Sequence, residues 1–159
     1  MKKTVITIAR SYGSGGKTLG NLLAEDLGIN CYSREILRMA SDESGINEAL
    51  FGEVDEKMKK SPLLFNILKK NPYKGGVLPP ESSDFVSDDN LFNYQAKVIK
   101  DLAAQESCII IGRCADYVLK DNPDVIRLFF YAPLEDCIRR VVDQNGILSL
   151  IHISEPTRR

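Results

Sequence analysis

The chain has one histidine, His152, and four cysteines, Cys31, Cys108, Cys114 and Cys137, none in a C-x-x-C pair. A zinc site has no ligand spacing to draw on, and the thiols read as buried and reduced, as in the cytosol. No apolar run approaches the ~20 residues of a membrane span. Met1-Lys2-Lys3 leads into a strand-like run in place of the apolar region and cleavage site of a signal peptide. Net charge is −1 and the pI about 5.9, which leaves no basic field to recruit nucleic acid or anionic membrane. Those absences point to a cytoplasmic chain acting on small molecules. Its 159 residues, 43% hydrophobic, suffice for one domain with a core.

What is present is a glycine-rich turn, Gly13-Ser14-Gly15-Gly16-Lys17-Thr18, between the β-branched run Thr4-Val5-Ile6-Thr7-Ile8 and a helical stretch with Leu19, Leu22, Leu23 and Leu27 at helical spacing. Such a turn exposes backbone N–H groups at the positive end of a helix dipole and binds phosphate. Lys17 adds a mobile charge for β- and γ-phosphates, and Thr18 a hydroxyl for Mg²⁺. A strict G-x-x-x-x-G-K-[ST] motif would have glycine where Ser11 stands. The dinucleotide-binding fingerprint fits worse, because its third glycine falls on Thr18 and its second strand ends in Ser33-Arg34 rather than an acid.

Further along, Gly28 suits a helix C-cap before a short strand Ile29–Tyr32, and Ser33 an N-cap for a helix through Ile36, Leu37 and Ala40 that ends at Gly45. Residues 46–60 are helical in period, and Pro62 opens a short helix to Leu68. Asn71–Asp89, rich in proline, glycine and serine, reads as a mobile loop. A helix over Leu91–Ala104, capped by Asp88 or Asp89, precedes the apolar strand Ser107–Ile111. Gly112-Arg113 ends that strand, a helix runs to about Lys120, and a strand follows over Val125–Tyr131. Pro133 at the first helical position opens the last helix, to about Asp143. Strands alternating with helices give an α/β parallel sheet covered on both faces, with ligands at the carboxyl ends of the strands.

Ser149–Arg159 continues no pattern and reads as translated sequencing-adapter sequence; a short strand over Leu148–Ile153 is the alternative. His152 falls in that tail and receives no role.

With the glycine-rich loop, the block Gly112-Arg113-Cys114-Ala115-Asp116-Tyr117 and the run Val125–Pro133, the chain resembles the cytidylate kinase-like family, a branch of the P-loop nucleoside monophosphate kinases, over about residues 1–147. The resemblance implies a three-layer P-loop kinase fold of adenylate-kinase type, with a central parallel sheet and an acceptor-binding insertion over about 33–90. The last strand and the lid are expected to be missing, and 148–159 to be a non-native tail. ATP with Mg²⁺ is the implied donor. Gly13, Ser14, Gly15, Gly16, Lys17 and Thr18 would hold its phosphates, and Thr18 would be the metal ligand. Arg113 matches the arginine that meets the acceptor nucleotide. Many relatives carry aspartate at the position of Ser33, and cytidylate kinases proper at that of Cys114; Asp116 and Ser33 itself are the candidates to take over those roles.

The chemistry of such a transfer needs no general base, since a phosphate oxygen is already ionised at neutral pH. Catalysis reduces to aligning two polyanions and neutralising charge. Lys17 serves the donor side, and Arg113 with Arg34 and Arg38 the acceptor phosphate, for which a guanidinium fork is suited. Arg139 and Arg140 are placed to reach the transferring group, whereas Arg127, inside a strand, reads as structural. The function expected is ATP-dependent phosphorylation of a nucleoside monophosphate, CMP-like by preference. A non-catalytic nucleotide-binding regulator, or a kinase for another small acceptor such as shikimate, is the alternative.

Overall fold

The computed structural model describes residues 3–60 and 76–145. Four strands form one sheet in the order β2-β3-β1-β4. β1 (Val5–Arg10) lies between β3 (Cys108–Ile111) and β4 (Val125–Phe130), and β2 (Asn30–Tyr32) flanks β3. Every pairing is parallel: Val5 stands opposite both Cys108 and Val125, and Asn30 opposite Cys108. Parallel neighbours need crossovers, and helices supply them. They are α1 (Gly16–Leu27), α2 (Glu35–Ser44), α3 (Glu48–Lys60), α4 (Asp88–Gln105), α5 (Ala115–Val118) and α6 (Leu134–Asn145).

Alternation along the strands divides the interior into two cores. Ile6, Ile8, Ile109 and Ile111 face α1 and pack with Ala24. Val5, Cys108, Ile110 and Val125 face the other way, onto a larger cluster with Ile36 and Leu37 of α2, Phe51 and Val54 of α3, and Leu91, Ile99 and Leu102 of α4. All four residues of β3 are buried, as a strand covered on both faces requires.

Several local expectations are corrected. Of the leucine stripe of α1 only Leu23 packs on the sheet-side cluster: Leu19, Leu22 and Leu27 are about half exposed, and the buried residues are Gly16, Gly20 and Ala24. The helix lies too close for side chains there, since a β-carbon on Gly20 would stand 2.7 Å from Ile111 Cδ1 and 3.0 Å from Ile8 Cδ1. α2 is capped at Arg34 rather than Ser33, because the Ser33 N–H is taken by Glu35 Oε2 (2.7 Å) and the Arg34 carbonyl accepts the first helical bond from Leu37. Ser87, not Asp88 or Asp89, caps α4, its hydroxyl accepting from the Asn90 N–H.

The helix expected to run to Lys120 is a single turn, α5. Beyond it the carbonyls of Leu119, Lys120 and Asn122 all accept from Arg127 Nη2, which makes Arg127 the organiser of the turn into β4. Pro133 stands just outside α6, its carbonyl accepting from Asp136 and Cys137. The described part of the proline-rich loop, 76–87, is pinned rather than open. The buried Asn90 amide bonds Leu78 N–H (2.8 Å) and the Phe85 carbonyl (2.7 Å), and Tyr94 Oη donates to the Leu78 carbonyl. The helix expected from Pro62 to Leu68 and the tail 148–159 lie outside the described residues.

Candidate functional site

The glycine-rich loop leaves β1 and enters α1 through two left-handed residues, Gly13 (φ +75°) and Gly15 (φ +85°), the second being the N-cap. Ser11 N–H donates to the Phe130 carbonyl, which ties the loop to the end of β4, and Ser14 N–H turns back to the Ser11 carbonyl. From outside, Arg140 Nη1 of α6 donates to the Gly13 and Ser14 carbonyls at 3.2 and 3.0 Å. With those carbonyls drawn outward, the opening N–H groups of α1 have no intrahelical partner and point ahead of the helix. Lys17 and Thr18 stand exposed in its first turn.

Beside the loop is a cleft of about 520 Å³ over the carboxyl ends of β1, β2 and β3. One wall carries Arg10, Lys17, Ser33, Arg34 and Arg113; α3 supplies Glu53 and Glu56. Arg113 reaches it through a strained turn in which Gly112, Arg113 and Cys114 all take left-handed φ, of 75°, 58° and 52°. For the two non-glycine residues that costs roughly 1–2 kcal/mol each. The turn sets Arg113 Nε against the Ser33 carbonyl at 3.3 Å, joining the ends of β3 and β2.

Electrostatically the wall is a cluster of like charges. Burial, and then the proximity of Arg10 and Arg34, lowers the Arg113 pKa. Glu35 is the nearby counter-charge. Its own and the Ser33 backbone N–H hold the carboxyl below its usual range, and Lys17 and Arg113 add to that. Cys114, the next residue of that turn, has its thiol pushed up to about 11, by burial and then by Asp116.

Of the residues singled out from sequence, the cleft gathers Lys17, Ser33, Arg34 and Arg113. Gly13, Ser14, Gly15, Gly16 and Thr18 form the adjoining loop, and Arg140 braces it. Three others lie elsewhere. Arg38 is 78% exposed beside Asp42, Arg139 faces Asp136 at 3.4 Å, and Asp116 is exposed on α5. The residue that sequence reasoning missed is Arg10. The strand read from sequence stops at Ile8 and leaves Arg10 without a role, whereas β1 runs on to Arg10, and strand register and the glycines around it bring it into the cleft.

The loop fits a phosphate group. A β-carbon on Gly16 would fall 2.9 Å from Arg10 Cβ, so the cradle admits no side chain there, and the buried Ser14 Oγ has no hydrogen-bond partner among the described residues. Orphaned donors and adjacent cations are what a polyphosphate would satisfy.

A protein named cytidylate kinase from Methanococcoides burtonii (strain DSM 6242 / NBRC 107633 / OCM 468 / ACE-M) is 26% identical over 157 residues, covering 98% of this chain and 71% of that protein. Among solved structures, an uncharacterized protein from Eubacterium ventriosum ATCC 27560 matches with a TM-score of 0.57 at 24% identity, over 91% of this chain and 63% of that one. A gluconokinase from Sinorhizobium meliloti 1021 matches with a TM-score of 0.50 at 12% identity, over 96% and 72%. The chain thus spans less than two thirds of the Eubacterium protein, and at such identities both structures speak to the fold alone: an α/β fold of P-loop kinase type. The profile of the cytidylate kinase-like family matches residues 5–155, and the chain belongs to that family.

Proposed function

We propose that this chain transfers the terminal phosphoryl group of ATP to a nucleoside monophosphate, a CMP-like acceptor by preference. The observation that carries the reading is that Lys17, at the opening of the phosphate-loop helix, and Arg34 and Arg113, at the ends of β2 and β3, line one cleft. A donor on the loop and an acceptor phosphate at the arginines would meet there, and aligning two polyanions is most of this catalysis. Gly13 to Thr18 would hold the donor phosphates, with the Thr18 hydroxyl as a ligand for Mg²⁺, which when bound neutralises phosphate charge. Ser33, with its buried side chain, and Arg34 would face the acceptor. The reading assigns the chain small nucleotides as partners, with no nucleic acid or membrane, and places it in the cytoplasm. No described helix is long and apolar enough to cross a membrane.

The test is ADP release from Mg·ATP across CMP, dCMP, UMP, AMP and GMP, with shikimate and gluconate alongside. CMP or dCMP should give the highest kcat/KM, and Lys17→Ala should lower it at least ~100-fold, as loss of a charge on the transferring phosphates does. Turnover of shikimate or gluconate alone would move the acceptor class. Mg·ATP binding with no turnover of any acceptor would make the chain a nucleotide-binding regulator instead.

A further inference from the structure

We infer that Arg10, whose side chain is laid with its stem at Gly16 and its guanidinium at Gly112, is a further catalytic residue that contacts the phosphoryl group as it passes from donor to acceptor. The inference rests on the phosphoryl-transfer reading above. Arg10 is the last residue of β1, and its side chain runs across the gap between the two halves of the site. Its Cβ lies where a β-carbon on Gly16 would be only 2.9 Å away, at the floor of the phosphate loop. Its Nη1 lies 2.7 Å from where a β-carbon on Gly112 would stand, at the turn that presents Arg113. Glycine at each position leaves room for that side chain. The donor loop is at one end of Arg10 and the acceptor arginine at the other.

The arginines of this chain that brace structure show what an anchoring role looks like. Arg127 donates to the carbonyls of Val125, Leu119, Lys120 and Asn122, and Arg140 to those of Gly13 and Ser14. Arg10 has no such anchor: among the described residues nothing accepts from its guanidinium, and no carboxylate pairs with it. Partial burial of this otherwise exposed residue lowers its pKa, and it stands close enough to Arg113 to lower that residue's pKa as well. Arg10 is thus open to the cleft, with no carboxylate partner of its own among the described residues, beside the like charge of Arg113, and an anion bound there would relieve that repulsion.

The step itself fixes what that anion is. A non-bridging oxygen of the acceptor phosphate forms the new bond to the γ-phosphorus. The bond from that phosphorus to the β,γ-bridging oxygen breaks, and its electron pair leaves with ADP. No proton need move. Charge spreads over the three equatorial oxygens of the group in flight, midway between loop and acceptor. A planar guanidinium can donate to two of those oxygens at once, and a fixed donor there acts on the transition state more than on either bound substrate.

Arg10→Ala and Arg10→Gln separate the possibilities, the glutamine keeping the aliphatic stem on Gly16. Thermal melts check folding, calorimetry gives the Kd of Mg·ATP, and initial rates of ADP release with CMP, or with whichever monophosphate the wild type accepts, give kcat and KM. The expected result is a Kd for Mg·ATP and an acceptor KM within ~3-fold of wild type, with kcat lower by ~100-fold. Arg10→Lys should recover part of that kcat. An unchanged kcat would overturn the inference, as would a loss lying wholly in the Kd of ATP or the KM of the acceptor, or failure of both variants to melt cooperatively. If the wild type itself releases no ADP with any monophosphate, the phosphoryl-transfer reading fails and takes Arg10 with it. Wild-type turnover that the Arg10 variants share sinks the inference alone.

Discussion

Gly13 of the glycine-rich loop and Cys137 of α6 approach so closely that a β-carbon on the glycine would stand 2.6 Å from the Cys137 carbonyl oxygen and 3.0 Å from its Cα. Those neighbours are backbone, so no rotamer change makes room, and the glycine is also left-handed at φ +75°. Gly28 is left-handed too, at φ +63°, but has nothing within 4 Å. Gly28→Ala should therefore cost only the conformational term, about 1 kcal/mol, and Gly13→Ala a further ~2 kcal/mol or more for the clash. Urea midpoints measure both. Equal losses would show that α6 does not clamp the loop.

The same contrast explains what the sequence could reveal. The strands were legible because β-branched runs such as Cys108–Ile111 are buried on both faces, and the loop because Gly13–Thr18 has the composition its chemistry needs. The packing of α1 was not. Its leucines carry the helical period, yet the sheet meets Gly16, Gly20 and Ala24, and a close approach leaves no trace in hydrophobicity. Ser87 outcompeted two aspartates for the α4 cap through backbone geometry that composition does not encode. Arg10 was silent for a related reason: its position follows from strand register and from the absence of side chains on Gly16 and Gly112.

Arg113 combines a strained backbone, φ +58°, with a guanidinium in the cleft, and two substitutions separate them. Arg113→Gly removes the charge but takes the left-handed conformation freely, whereas Arg113→Ala removes the charge and keeps the strain. Both should raise the acceptor KM by ~10-fold or more while leaving the KM for ATP within ~3-fold. The glycine variant should be the more stable of the two by about 1 kcal/mol in urea. Equal rises in both KM values would place Arg113 outside the acceptor site.

Two thiols make stability fall with alkali. Burial pushes Cys108 up to about 11, helped by Glu106, and Cys114 to about 11, helped by Asp116, from an ordinary value of 9.0. The folded chain therefore keeps these protons to higher pH than the unfolded chain does. Their contribution is intact below about pH 9 and is lost as pH rises toward 11. Urea midpoints across that interval should decline. Cys114→Asn, which tolerates the left-handed backbone at this position, should flatten part of the slope. Iodoacetamide at pH 8 should label both residues more slowly in the folded than in the unfolded chain.

Arg139 and Arg140 are adjacent in sequence, but successive helical residues point about 100° apart, and α6 sends them to different places. Arg139 is 70% exposed and lies 3.4 Å from Asp136, one turn earlier on the same helix. Such an exposed pair is worth little, so Arg139→Ala should change stability by less than about 0.5 kcal/mol and Mg·ATP affinity by less than ~2-fold. Arg140 instead holds the carbonyls of Gly13 and Ser14, and so helps keep the loop's N–H groups turned toward the proposed phosphate position. Arg140→Ala should cost about 1 kcal/mol of stability and weaken Mg·ATP ~10-fold, read by calorimetry, with kcat at saturating ATP little altered. Arg140→Lys should recover part of the affinity, since an ammonium can still meet a carbonyl. A fall in kcat with Kd unchanged would instead put Arg140 on the transferring group. If Arg139→Ala cost as much as Arg140→Ala, the division between the two faces of α6 would be wrong.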